Sequence, residues 1–263
     1  MAKETVEDFQ NQFNIFNTVD EYSKSNELLE NVIYPFDSKK VENKVIADVG
    51  CGSGRYIRPL SNLKPKKIYA IEPSEAIYVA KKNNADIKNV NYVNSRAQDI
   101  DIVEKIDIAF SLGVIHHIPD AIAALKGVNK SLKDGGYFIM FLYAYEGNKL
   151  YVFIFNSLRR ITSKVNDRFL KIFSILLNFF ASFYGLLTKA LPLYMHKYFR
   201  NVFMKSSFRD RTQIIFDQLN PKYSKYYKKQ EVVELAANTG FEIVDIYHRN
   251  GNAWVGILKK PNN

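Results

Sequence analysis

Residues 48–54 read Asp-Val-Gly-Cys-Gly-Ser-Gly, with three glycines at alternate positions directly after an apolar run. Without a Cβ, a glycine adopts positive φ and lets the backbone approach a ligand closely. A helix opening behind such a loop offers unpaired N–H groups. Dinucleotide sites use this layout with the spacing G-x-G-x-x-G. Here the position three after Gly52 is Arg55, which spoils the close helix–strand packing, and the spacing is G-x-G-x-G. Glu72 ends the next apolar run, where a carboxylate can accept from two neighbouring hydroxyls. His116 and His117 follow a fourth run. One would cap a helix or meet a backbone group, and the other would act as a base towards a substrate hydroxyl. Glu146 and Asn148 follow a fifth run, at the strand ends where α/β enzymes place substrates, or else they cap a turn there. Asp48 fixes the loop by hydrogen bonds or reaches the ligand. Cys51 reads as a small filler of the turn. His196 and His248 receive no role. No zinc cluster, P-loop or Ser-His-Asp constellation is evident, so no metal is expected.

The loop, Glu72, "SRAQDI" at 95–100, "FSLGVIHHI" at 110–118 and a closing hairpin occur in that order. Together they resemble the class I S-adenosylmethionine-dependent methyltransferases of the small-molecule type, over roughly 44–144 and 229–260. The resemblance implies S-adenosylmethionine as cofactor, cradled by Gly50, Gly52 and Gly54, with Glu72 on the ribose hydroxyls. It sets Asp48 beside the methionine amino group. It places Ala97 and Gln98 at the adenine and the backbone of Leu112 and Gly113 by the methionine part. Members often carry an acid where this chain has Arg96, so the adenine contact falls to Ala97 and Gln98. "VEDFQNQFNIF", with Phe9, Phe13 and Phe16 at helical spacing, resembles an N-terminal lid, although these rings also suit a core.

The elements that must position these residues alternate. Strands are expected at 44–50, 67–72, 89–95, 106–114 and 135–144, with helices over 53–63, 74–84 and 119–132. Runs without polar alternation, separated by helices, argue for a parallel sheet covered on both faces. The pattern breaks at Tyr145 and resumes near Lys229 with a helix stopped by Gly240. Two strands joined by Asn-Gly-Asn then pair antiparallel. The fold class is α/β: a Rossmann-like, seven-stranded, mostly parallel sheet with an antiparallel last strand, plus a helical cap. Residues 1–40 form a helical lid segment, 41–144 and 229–263 the cofactor-binding core, and 145–228 a basic, aromatic cap insertion.

The single cysteine forbids an internal disulfide, and "MAKETVEDFQ" lacks the apolar stretch of a secretory signal. A cytoplasmic protein, at most peripheral to a membrane, is expected. The net charge of +10 is uneven: residues 149–229 hold 16 Lys and Arg against three acids, a surplus of 13 positive charges that leaves the remainder at −3. Between Lys171 and Lys189 stand 17 uncharged residues, striped by Ser174, Asn178, Ser182 and Gly185. A span, a helix buried in the cap and a helix lying on an anionic membrane with basic flanks all use such a stretch, and the last two accommodate the stripe better. Adenine-directed nucleic-acid methyltransferases commonly carry Asn/Asp-Pro-Pro-Tyr/Phe after the fourth strand, where this chain has Ser111-Leu112-Gly113. The leading expectation is therefore methyl transfer to a small, amphipathic or glycan-type acceptor. The alternatives are an RNA methyltransferase and a non-catalytic cofactor binder that docks through its basic cap.

Overall fold

The computed structural model describes residues 6, 9–12, 15–16, 22 and 24–262. Phe13, one of the three phenylalanines of the expected lid, lies outside them.

Seven strands form one sheet in the order β3-β2-β1-β4-β5-β7-β6. They are β1 (Val45–Val49), β2 (Lys67–Ile71), β3 (Val90–Val93), β4 (Ile106–Leu112), β5 (Leu132–Tyr143), β6 (Glu242–Arg249) and β7 (Ala253–Lys259). The pairs among β1 to β5 are parallel; β7 runs antiparallel to both β5 and β6. β1 is buried along its whole length, which is why its sequence shows no polar alternation. Its alternate residues serve two cores. Val45, Ala47 and Val49 pack with Ala124, Leu125 and Val128 of α4 (Ala121–Ser131) and with Val232 and Leu235 of α9 (Lys229–Ala237). Ile46 packs with Leu28, Leu29, Val32 and Ile33 of α1 (Asn26–Ile33) and Leu60 of α2 (Ile57–Asn62).

The helix after the glycine loop begins at Ile57, four residues later than the expected Ser53. Gly50, Gly52 and Gly54 all hold positive φ, so turns occupy 52–56 and a regular helix cannot start before they end. α3 (Ala76–Asn83) follows β2.

Between β5 and α9 lie α5 (Lys149–Thr162), α6 (Asp167–Ala190), α7 (His196–Asn201) and α8 (Phe208–Leu219). Their shared apolar centre is small: Leu170, Phe203, Ile215, Phe216 and Leu219, joined by Phe16. Much of their cohesion is polar. Thr162 Oγ1 donates to Leu219 O (2.8 Å), Arg159 Nε to Gln218 O (3.0 Å), and Asn178 Nδ2 to Phe208 O (2.7 Å) and Thr212 Oγ1 (2.9 Å). The chain leaves and re-enters the sheet at neighbouring points. Tyr145 N donates to Tyr227 O (2.9 Å) and Tyr227 N to Tyr143 O (2.8 Å).

Candidate functional site

A cavity of about 290 Å³ opens over the C-terminal ends of the parallel strands, the position that α/β sheets reserve for ligands. Gly50, Gly52, Glu72, Ala97, Gln98, Leu112, Gly113 and His117 all line it. Gly50 sits at φ 81°, and a Cβ there would come within 2.4 Å of Val114 Cγ1, so this site admits only glycine without rearrangement. Gly54 does not line the cavity. A Cβ on it would meet Ala80 and Asn84 of the neighbouring helix side, so it serves loop packing rather than ligand approach.

Glu72 closes the loop from within. Its Oε2 accepts from Gly52 N (3.1 Å), and its Oε1 accepts from Ser74 N (3.1 Å) and Ser74 Oγ (2.6 Å). A carboxylate offers about four acceptor positions, so capacity for a ligand hydroxyl remains. Burial raises its pKa against these three hydrogen bonds. Asp48 lies beneath the loop, 1% exposed, with Oδ2 lacking a partner. Burial, then the Glu72 charge, pushes its carboxyl up to about 7. Asp48 does not line the cavity. The Cys51 thiol is raised well above its ordinary value by burial and by both carboxylates, which makes it a poor nucleophile.

The two histidines separate. His116 is fully buried, stacks on Tyr143 (3.8 Å between ring centroids), and does not line the cavity. His117 does line it, with Phe9 edge-on at 4.8 Å. Its Nδ1 stands 3.2 Å from Tyr223 O and can only donate to a carbonyl, which leaves Nε2 with its lone pair and no partner among the described residues. Burial keeps this imidazole below its ordinary pKa despite the opposing pull of Asp217 and the Tyr223 carbonyl, so it is neutral at pH 7.

Glu146 lines neither cavity; its Oε1 accepts from Lys229 N (3.0 Å) and its Oε2 from Trp254 Nε1 (3.3 Å), clamping the two ends of the helical segment. Asn148 lines a second cavity of about 150 Å³ that abuts the first. Its Nδ2 donates to Ala144 O (2.7 Å) and Asn252 O (2.8 Å). Arg55, Tyr56, Phe141, Tyr143 and Asp217 border both cavities. Sequence reasoning missed Tyr143, Asp217, Tyr226 and Arg249. They come from separate elements, and no local spacing marks them.

Residues 47–140 match a family model described as a methyltransferase domain. Over that stretch, which runs from β1 into β5, the chain is similar to methyltransferase domains. Among curated relatives, the tRNA U34 carboxymethyltransferase of Nautilia profundicola is 32% identical over 122 residues, 45% of this chain and 40% of that one. That of Campylobacter lari is 32% identical over 117 residues, 43% of this chain and 40% of that one. The chain therefore spans about two fifths of the length of the curated relatives it matches. Its fold is that of the methyltransferase solved with the Trm112 activator of Haloferax volcanii (TM-score 0.59, 12% identity, 97% of this chain and 98% of that one). It is also that of magnesium protoporphyrin IX methyltransferase from Synechocystis PCC 6803, solved with S-adenosylmethionine (TM-score 0.54, 11% identity, 97% of each chain). The first cavity suits that cofactor: a cradle of glycine backbone at Gly50 and Gly52, and in Glu72 a carboxylate with spare acceptor capacity.

Proposed function

We propose that this chain transfers the methyl group of S-adenosylmethionine to a small acceptor held in the second cavity. The supporting observation is the shared wall of Arg55, Tyr56, Phe141, Tyr143 and Asp217, which sets an acceptor in one cavity against a cofactor in the other. In this reading Gly50 and Gly52 admit the methionine end, Glu72 takes the ribose hydroxyls, and Ala97 and Gln98 border the adenine. The bound cofactor supplies a methyl group activated on a sulfonium. The protein then has to orient the acceptor, exclude water and, for a hydroxyl acceptor, accept its proton. His117 Nε2, on the first cavity, is the base of this proposal for an acceptor hydroxyl that reaches past the shared wall to the methyl group, with Asp217 stabilising the imidazolium that forms. His116 supports the Tyr143 ring, Asn148 faces the acceptor, and Glu146 holds the segment in place. Residues 145–228 act as the substrate cap.

The relatives' names favour a second reading, an RNA acceptor. Each matches less than half of this chain. A cavity of about 150 Å³ walled by cap side chains fits a small molecule better than a polynucleotide. Calorimetry with S-adenosylhomocysteine tests the cofactor part. Glu72→Ala should weaken binding by about 2–3 kcal/mol, since hydrogen bonds to a charged group contribute about 1.5–3 kcal/mol each and do not add fully. A change of a few tenths would place the ribose elsewhere.

A further inference from the structure

The second cavity contains polar atoms that the protein leaves unsatisfied. Arg249 is 4% exposed, and its Nε donates to Asn31 O and Asn31 Oδ1 (both 2.8 Å). Its Nη2 is buried without a partner, and its guanidinium lies 5.4 Å from the Phe141 ring. No carboxylate pairs with Arg249 among the described ion pairs and hydrogen bonds, and the neighbours that act on its charge are the phenols of Tyr56, Tyr198, Tyr22 and Tyr247. A buried cation without a counterion costs several kcal/mol. Opposite in kind are Asn148 Oδ1 and Asn252 Oδ1, also buried and partnerless, on the same wall. Of the charged residues lining this cavity, Arg55 and Arg249 are cationic and Asp217 alone is anionic.

We infer that the acceptor is a small acid: a carboxylate or phosphate seated against Arg249, with a hydroxyl or amine donating to Asn148 and Asn252. This rests on the methyl-transfer reading and names its acceptor class. A guanidinium fork matches both anions, and the surrounding tyrosines supply neutral O–H donors. The test uses the full chain saturated with S-adenosylhomocysteine and titrated with inorganic phosphate or acetate at constant ionic strength. One anion should bind and raise the melting temperature, with chloride inert. Arg249→Gln should lose about tenfold or more in anion affinity, as expected for removing a charged hydrogen bond, while S-adenosylhomocysteine affinity is retained. If Arg249→Gln does not fold, Arg249→Lys keeps the charge and should retain weaker anion binding. Binding of S-adenosylhomocysteine with no anion effect on the wild type, or equal anion affinity in a folded Arg249→Gln protein, overturns the inference. Failure to bind S-adenosylhomocysteine at all would instead overturn the methyl-transfer reading.

A separate observation concerns α6. Apart from Leu170, the residues it buries against the protein are Ser174, Asn178, Gly185 and Thr188, and most of its apolar side chains face outward. Phe169, Leu176, Phe179, Phe180 and Phe183 are 69%, 53%, 60%, 74% and 64% exposed, and Phe153 of α5 is 72% exposed. Exposed Arg160, Lys164 and Arg168 stand at one end of this face and Lys189 at the other. The helix has the length and composition of a membrane span. Spanning, however, would strip Asn178 from Phe208 O and Thr212, and Arg211 Nη1 from Ser182 Oγ (2.9 Å). We propose that α6 lies flat on an anionic lipid surface, its phenylalanines entering the acyl boundary and its end cations meeting phosphates. Both ends being basic, a second copy laid on this face in either direction would set like charge on like. Nucleic acid would leave the apolar area unused.

Sedimentation with phosphatidylcholine vesicles, with and without phosphatidylglycerol, decides it. Binding should need phosphatidylglycerol, weaken with salt, and drop about tenfold or more in a triple variant, Phe179→Ser with Phe180→Ser and Phe183→Ser, that keeps its S-adenosylhomocysteine affinity. Absence of a bound fraction overturns the proposal, as does binding unchanged in the triple variant. So does light scattering that shows a dimer dissolved by those substitutions, or capture by tRNA in place of vesicles.

Discussion

Two helices show two ways of spending an apolar face. α1 buries Leu28, Leu29, Val32 and Ile33 against the sheet and leaves its polar side to water. α6 buries Ser174, Asn178 and Thr188 and leaves phenylalanines outside. α1 is complete within the chain, since burying its side chains is worth about 1.5–3 kcal/mol each. α6 is anchored by Leu170 and by hydrogen bonds, whose net worth is about 0.5–1.5 kcal/mol apiece, and its phenylalanines contribute little burial. The helices on the sheet thus hide their apolar side chains within the protein, whereas the outer face of the insertion leaves its own in the open.

The largest expected effect tests the first half of this contrast. Leu29→Ala, at a site 0% exposed, should cost about 2–5 kcal/mol in denaturant unfolding. A loss under 1 kcal/mol would mean that α1 is not part of the cooperative core. Next is Asp48, whose carboxyl is raised to about 7 in the native state. The folded protein then holds a proton that an unfolded Asp releases near pH 4, so stability falls as pH rises from about 4 through 7. Asp48→Asn removes that penalty. At about 1.4 kcal/mol per pKa unit it should be more stable than the wild type by about 4 kcal/mol at pH 8 and equal to it below pH 4. Melting curves that keep the same separation at both pH values would refute the buried-acid assignment. Asn178→Leu probes the inverted helix: it removes the donor shared by Thr212 Oγ1 and Phe208 O and the acceptor of Ser182 Oγ, and should cost about 1–3 kcal/mol, although it adds apolar volume. A gain in stability would show that the stripe is not polar by necessity. Smallest is Phe180→Ser on the exposed face, expected within about ±0.5 kcal/mol in water because nothing packs on it. A loss comparable to that of Leu29→Ala would erase the distinction between the two helices.

What the sequence discloses follows the same divide. The sheet is legible because burial on both faces writes itself as unbroken apolar runs, and β1, β2 and β4 lie within a few residues of the expected spans. The antiparallel pair was signalled by Asn-Gly-Asn, but its place in the sheet was not: that β7 lies between β5 and β6 depends on which edge is free. Gly50, Gly52 and Glu72 were readable because backbone approach and strand-end geometry are local demands. Gly54 looked identical to its neighbours and differs only in facing Ala80. His116 and His117 were indistinguishable in sequence, and only the fold turns one inward against Tyr143 and the other to the cavity. Arg249 and Asp217 were not legible, because only the fold brings the last hairpin and α8 to the same cavity. In α6 the stripe of Ser174, Asn178 and Ser182 was visible, but not its direction, since a helix pattern fixes a face and not what that face touches.

The hydrogen bonds between Tyr143, Tyr145 and Tyr227, with the Glu146 clamp beside them, make the insertion a closed excursion from one point of the sheet. Doubling the length of such a loop costs only about 0.6 kcal/mol in closure entropy, so the sheet is nearly indifferent to what hangs there. A graft that preserves the Tyr143–Tyr227 and Glu146–Lys229 contacts should therefore leave the seven-stranded sheet intact whatever segment it carries.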